Sequence, residues 1–246
     1  MTLLRRLFLI LSIVVTGSLA LAAAAVAAGG GGGLGPGNYT FTQVSALAQF
    51  GTPVAPNVAP QFLISVARNH SDFRPTAGPH QVFNITTVTI QISTLAVSGF
   101  GCFTIPASNF TVSKDLQRAA LHATLTTPCT GSAPPLAGVR AVSPLAGGGF
   151  GGGLPAAIRL DVTWTGDGVI GTTRDASTFQ CAGYTLNRAL IGSAASVTAS
   201  GVVSAPSTGT LLSFSPADQG VSLSKTDTNM NITGVQMDAC LNLQTL

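Results

Sequence analysis

The chain of 246 residues contains no glutamate and only two lysines, Lys114 and Lys225, and 8% of it is charged, against about 25% in an average soluble domain. Without Glu and Lys, long surface helices and coiled coils are excluded, because their solvated faces are built from those residues. No basic stripe runs along the chain, which excludes the electrostatic footprint of a nucleic-acid binder. At 46% hydrophobic residues, charge-driven disorder is excluded too. Nor does any stretch sustain an apolar period of 3.6 residues between helix caps. The chain is rich instead in Ser, Thr, 29 Gly and 14 Pro.

Its charges are unevenly placed. Arg5 and Arg6 precede an uncharged stretch, 7–28, that is strongly apolar up to Val15 and alanine-rich from Ala22 onward. This order predicts a secretory signal peptide over 1–28, with Ala25-Val26-Ala27 as an acceptable exit. The alternative is a retained anchor, since the stretch is long enough to span a bilayer. Arg5-Arg6 followed by Phe8-Leu9 also fits a twin-arginine export signal. Cleavage would take two of eleven basic residues away, leaving nine against eight aspartates and a net charge near +1. Steering of an anionic partner by net charge is then unsupported.

Residues 29–37 form a glycine-rich leader. After it, strand patterns dominate. Ile158, Leu160, Val162 and Trp164 alternate with Arg159, Asp161, Thr163 and Thr165, the cleanest period-two segment in the chain. Strands are expected also at 39–47, 61–67, 82–90, 110–113, 117–126, 169–181, 196–204, 211–214 and 234–243. Turn signals fall at 76–79 and at Gly166-Asp167-Gly168. The expected class is all-β, an antiparallel β-sandwich of immunoglobulin-like or jelly-roll-like kind. The segment 129–155, with its prolines and the run around Phe150, reads as a Gly/Pro-rich loop or linker. It leaves two arrangements open: one sandwich over 38–246, or two related β-units, 38–128 and 156–246. A faint echo favours the second. Pro106-Ala107-Ser108 precedes Cys129 much as Pro216-Ala217-Asp218 precedes Cys240.

Cys102, Cys129, Cys181 and Cys240 are even in number, and in an exported chain structural disulfides are the default. Pairing Cys102 with Cys129 and Cys181 with Cys240 keeps each bridge within one half. No two cysteines stand at the C-x-x-C spacing that zinc favours.

Residues able to carry chemistry are sparse. His70 and Asp72 would share one face of a strand, with Ser71 pointing away, so a Ser-His-Asp site is not assembled locally; the segment reads as a polar turn. His80 completes the histidines with His122, expected on a solvent face. Ser222-Leu223-Ser224-Lys225 matches S-x-x-K, but in strand-like surroundings and without partner motifs. Asp161, Asp167 and Asp175 are the carboxylates nearest to a glycosidase pair, and Asp161 is expected to form a surface ion pair with Arg159. Asp227-Thr228-Asn229-Met230-Asn231 alternates like a calcium loop but lacks its Gly and Glu. Asn38, Asn69, Asn84, Asn109 and Asn231 stand in sequons.

From these residues no catalytic, cofactor-binding or metal site is assigned, and no cofactor is expected. The leading reading is a secreted or cell-envelope β-protein of structural or binding role, taking an extracellular or cell-surface glycan or protein. No nucleic acid and no membrane span after signal cleavage are expected. Two alternatives are a secreted hydrolase of glycans or peptides with an atypical Asp/His site, and a self-assembling envelope fibre or layer subunit.

Overall fold

The computed structural model describes residues 35–51, 61–93, 98–129, 157–181, 183–206, 209–214 and 219–234. The expected signal peptide, most of the glycine-rich leader, nearly all of 129–155 and Cys240 lie outside these residues. Ten strands run through the described chain: β1 Gly37–Gly51, β2 Gln61–Pro75, β3 Gln81–Ser93, β4 Ser98–Thr104, β5 Phe110–Val112, β6 Arg118–Leu125, β7 Ile158–Cys181, β8 Tyr184–Ala205, β9 Gly209–Phe214 and β10 Gln219–Thr233. One 3-10 turn, Ala107–Asn109, leads into β5. All strands join one antiparallel sheet in the order β4-β3-β2-β1-β10-β8-β7-β6-β5, with β9 pairing β8 beside this path.

The protein is therefore all-β and antiparallel. Strands from both halves of the chain interleave: β1 pairs β10, and β6 pairs β7. Described strands before and after 129–155 thus belong to one sheet. The sandwich-like layers come from one sheet that folds over itself. Trp164 of β7 donates its indole N–H to Leu47 O of β1 at 3.1 Å, and Arg68 Nη1 of β2 donates to Phe110 O at 3.3 Å. Between the layers lies the main core, which includes Ile64, Val66, Val88, Ile90, Phe110, Leu121, Leu160 and Trp164.

The strands are long, and their buried side changes partway. In β1, Tyr39, Phe41 and Gln43 are buried, then Val44, Ala46 and Ala48. Successive side chains of a strand point to opposite faces, and the β1–β10 register runs without a shift. The sheet thus buries one face at one end and the other face at the other end. β10 and β8 switch in shared cross-strand rows two residues further along, Ser224 and Leu223 opposite Ala194 and Ala195, all buried. Beyond the switch lies a second, aromatic core of Tyr39, Phe41, Phe73, Tyr184, Met230 and Ile232. Phe73 is its hub, with ring centroids 5.7 Å from Tyr39 and 5.3 Å from Phe41.

One end of the sheet path, β4, meets the chain that follows β6 at a seam. Residues after β6 pair with β4: Phe103 bridges Pro128, Thr104 N donates to Thr127 O at 3.0 Å, and Cys129 N donates to Cys102 O at 2.9 Å. A disulfide joins Cys102 to Cys129 there, with Cα atoms 5.4 Å apart, as the pairing within one half predicts. Its expected companion, Cys181–Cys240, lies outside the described residues.

Several strand boundaries differ from the sequence expectation. The polar turn expected at His70 and Asp72 is strand, because β2 continues to Pro75. Gly166-Asp167-Gly168 is not a turn between strands. It is a bulge inside β7, where the register to β8 shifts between Gly166 and Ile170. The ladder absorbs the extra residues, and Gly168 takes a φ of 87° there.

A groove across four strands

On the face of the sheet away from the aromatic core, an open groove of about 500 Å³ crosses three successive cross-strand rows, of which the first and third turn their side chains toward it and the middle one turns its side chains to the core side. One row is Asn38, Asn231, Asn187 and Thr178, on β1, β10, β8 and β7 in turn. The next is Tyr39, Met230, Arg188 and Ser177, and the third is Thr40, Asn229, Ala189 and Ala176. The groove runs perpendicular to the strands, so backbone spacing sets the positions of its side chains.

The groove's polar groups are ordered by one another. Asn231 Nδ2 donates to Asn38 Oδ1 at 2.8 Å, and Thr178 Oγ1 donates to Asn187 Oδ1 at 2.8 Å. Short amides and hydroxyls directly opposite each other are well placed for such bonds. On the other, core-facing side of the sheet, Arg188 Nη2 pairs with Asp175 Oδ2 at 2.7 Å, while its Nε is buried with no hydrogen-bond partner among the described residues. A buried unsatisfied donor is uncommon and calls for an acceptor. Below the groove, burial pushes the Tyr39 and Tyr184 hydroxyls above their ordinary range, so both stay neutral, and Tyr39 donates to Gly35 O at 2.8 Å.

A second polar cluster stands on the next strand, β2. Asp72 Oδ2 takes Arg74 Nη2 at 2.9 Å and Asp72 Oδ1 meets His80 Nε2 at 2.7 Å. The Arg74 hydrogen bond, helped by His80, lowers the Asp72 carboxyl to about 2 against partial desolvation. His70 does not join it. Its Nδ1 meets Asn84 Oδ1 at 2.8 Å. Asp72 is therefore paired with His80, a partner the local sequence spacing could not indicate.

The remaining candidates are dispersed. Asp161 Oδ1 meets His122 Nδ1 across β6 and β7 at 2.9 Å rather than pairing with Arg159. Arg159 lies on the same strand two residues away, whereas His122 is its direct cross-strand neighbour. Asp167 caps the bulge by accepting from Val169 N at 3.0 Å. Ser222 and Lys225 are three apart on β10 and so point to opposite faces. Ser224 is hydrogen-bonded to Ser45, and Lys225 pairs with Asp227 at 2.7 Å. Asp227 also accepts from Thr42 at 2.8 Å, so both oxygens of the one carboxylate in the calcium-like segment are engaged. Among the described residues no group of three or more His, Cys, Asp or Glu is arranged to hold a metal ion. No helix among them is long and apolar enough to cross a membrane.

No protein-family model and no curated protein matches the chain. One solved structure, the enduracididine biosynthesis enzyme MppR complexed with pyruvate, aligns over 80% of this chain and 89% of its own at 11% identity with a TM-score of 0.25. A likeness that weak carries no argument about fold or activity.

Proposed function

We propose that this chain is a binding protein of the cell exterior or envelope, and that the groove across β1, β10, β8 and β7 takes a polar, uncharged segment such as a glycan. The observation that carries the reading is the groove itself. It joins an amide and hydroxyl row to the small side chains of Ala176 and Ala189 on one exposed face. Amides and hydroxyls both donate and accept, which suits sugar hydroxyls. Export, predicted from residues 1–28, would bring the groove to such ligands.

The test is a glycan array with the full secreted chain, followed by calorimetry on the hits. Binding that falls about tenfold in Asn187→Ala and in Asn231→Ala supports the groove, as a ligand group left without its hydrogen bond costs roughly 1–3 kcal/mol. Hits unaffected by both changes, or an array with none, would remove the reading.

A further inference from the structure

We propose that a second copy of this chain pairs with the first along β7, edge to edge and antiparallel, around a two-fold axis at Ala176. Past the bulge, residues 171–181 of β7 pair with β8 on one side. On the other side no described residue pairs with them, because β6 reaches β7 only from Ile158 to Thr165. Such an edge offers a row of unused backbone N–H and C=O groups, and proteins commonly blunt it with Lys, Pro or a covering element. Residues 171–181 contain neither Lys nor Pro. From 171 to 180 every residue is exposed except Phe179, which is half-buried.

Symmetry then selects the register. A two-fold axis normal to a sheet keeps the same face upward in both copies, so it passes through a residue that sits opposite its own counterpart. The longest overlap of 171–181 with itself centres on Ala176. In that register Arg174 faces Thr178 of the second copy, Asp175 faces Ser177, and Thr173 faces Phe179. Moving the axis to Asp175 or to Arg174 sets like charges directly opposite, which is destabilising. Moving it the other way shortens the ladder. The register with the most backbone pairing is thus also free of directly opposed like charges. Ala176, Ser177 and Thr178 line the β7 end of the groove, so the pairing would join two grooves end to end across the axis.

The experiment uses the full chain. Sedimentation velocity is expected to show a concentration-dependent equilibrium of monomer and dimer that stops at the dimer. Ala176→Lys places two ammonium groups face to face on the axis and is expected to raise the dimer dissociation constant about tenfold. Unchanged unfolding by circular dichroism shows that the monomer is intact. Directly opposed residues of an antiparallel pair have Cα atoms about 4.5–5.5 Å apart, within the span a disulfide accepts. Ala176→Cys is therefore expected to cross-link on mild oxidation well above the wild-type background, and Asp175→Cys, one row off the axis, is not. A wild-type monomer at the highest soluble concentration, association that continues beyond the dimer, or equal cross-linking of the two cysteine variants would each overturn the proposal.

Discussion

The indole N–H of Trp164 reaches the Leu47 carbonyl 3.1 Å away across the main core, joining β7 to β1 although the two strands are not neighbours in the sheet. Its ring also packs edge-on to Phe110, with centroids 6.5 Å apart. Trp164 is the single tryptophan of the chain and is fully buried. Trp164→Phe keeps an aromatic ring but loses the donor, and is expected to cost about 1–3 kcal/mol. Trp164→Ala is expected to cost about 3–5 kcal/mol. Urea unfolding followed by circular dichroism measures both. Equal stability of the Phe variant would show that the tie to Leu47 adds nothing.

The disulfide at the seam closes a loop of 27 residues. In the chain-entropy account such a loop stabilises by about 3 kcal/mol. Replacing Cys102 and Cys129 together by Ser should lower stability by that order, and reductant should destabilise the wild type more than the variant. A reductant-insensitive wild type would contradict the assignment.

Asp72 carries a pH signature. Its folded value of about 2 lies below the ordinary 3.8, so the native state favours the ionised carboxylate. The associated stability is present above about pH 4 and is lost as pH falls through 2. Asp72→Asn should flatten the stability profile in that window and leave it unchanged near neutrality apart from a constant offset. Titration of the Asp72 carboxyl by NMR gives the value directly, and an ordinary one would show that Arg74 and His80 do not hold it.

Glycine at 201 is required by a close approach. A Cβ there would meet the Asp161 carbonyl oxygen and come within 2.8 Å of Val162 Cα, both backbone atoms of β7. Gly201→Ala should therefore destabilise by about 1–3 kcal/mol or more, since the neighbouring strand must shift. Gly171 is the control, because its nearest neighbour is Ala194 O at 3.9 Å. Gly171→Ala should be neutral or slightly stabilising. Thermal melts of the two variants compare them.

The strand class was legible wherever one face stays buried. Residues 158–165 show it, and β6 repeats the same alternation. Strand length was not legible, because the buried side switches within β1, β8 and β10. At Gln43-Val44 and Leu223-Ser224 two adjacent residues are both buried, and this breaks the period-two pattern that marks a strand. β8 shows the consequence: expected from Ser196, it begins at Tyr184. β4 was not expected at all, since its glycines leave no alternation to see. The groove could not be read from sequence for a different reason. Asn38, Thr178, Asn187 and Asn231 are distant in the chain, and only the register brings them into one row. The signal that each supplies alone is a short polar residue in a Thr-rich strand, which most of this chain shares.

The placement of β1 and β10 has a mechanical consequence. They lie side by side and antiparallel near the middle of the sheet, with Gly37 opposite Ile232 and Phe50 opposite Gln219. The first residue of β1 and the last of β10 therefore meet at one end of their shared ladder. A load applied between Gly37 and Thr233 falls on the nearest cross-strand bond alone and opens the pair like a zip, one bond after another. The same load between Gly37 and Gln219 would stretch the ladder along its length and strain its bonds together. Tension carried through the two outer ends of this strand pair thus finds the weak direction of the sheet, however deeply its cores are buried.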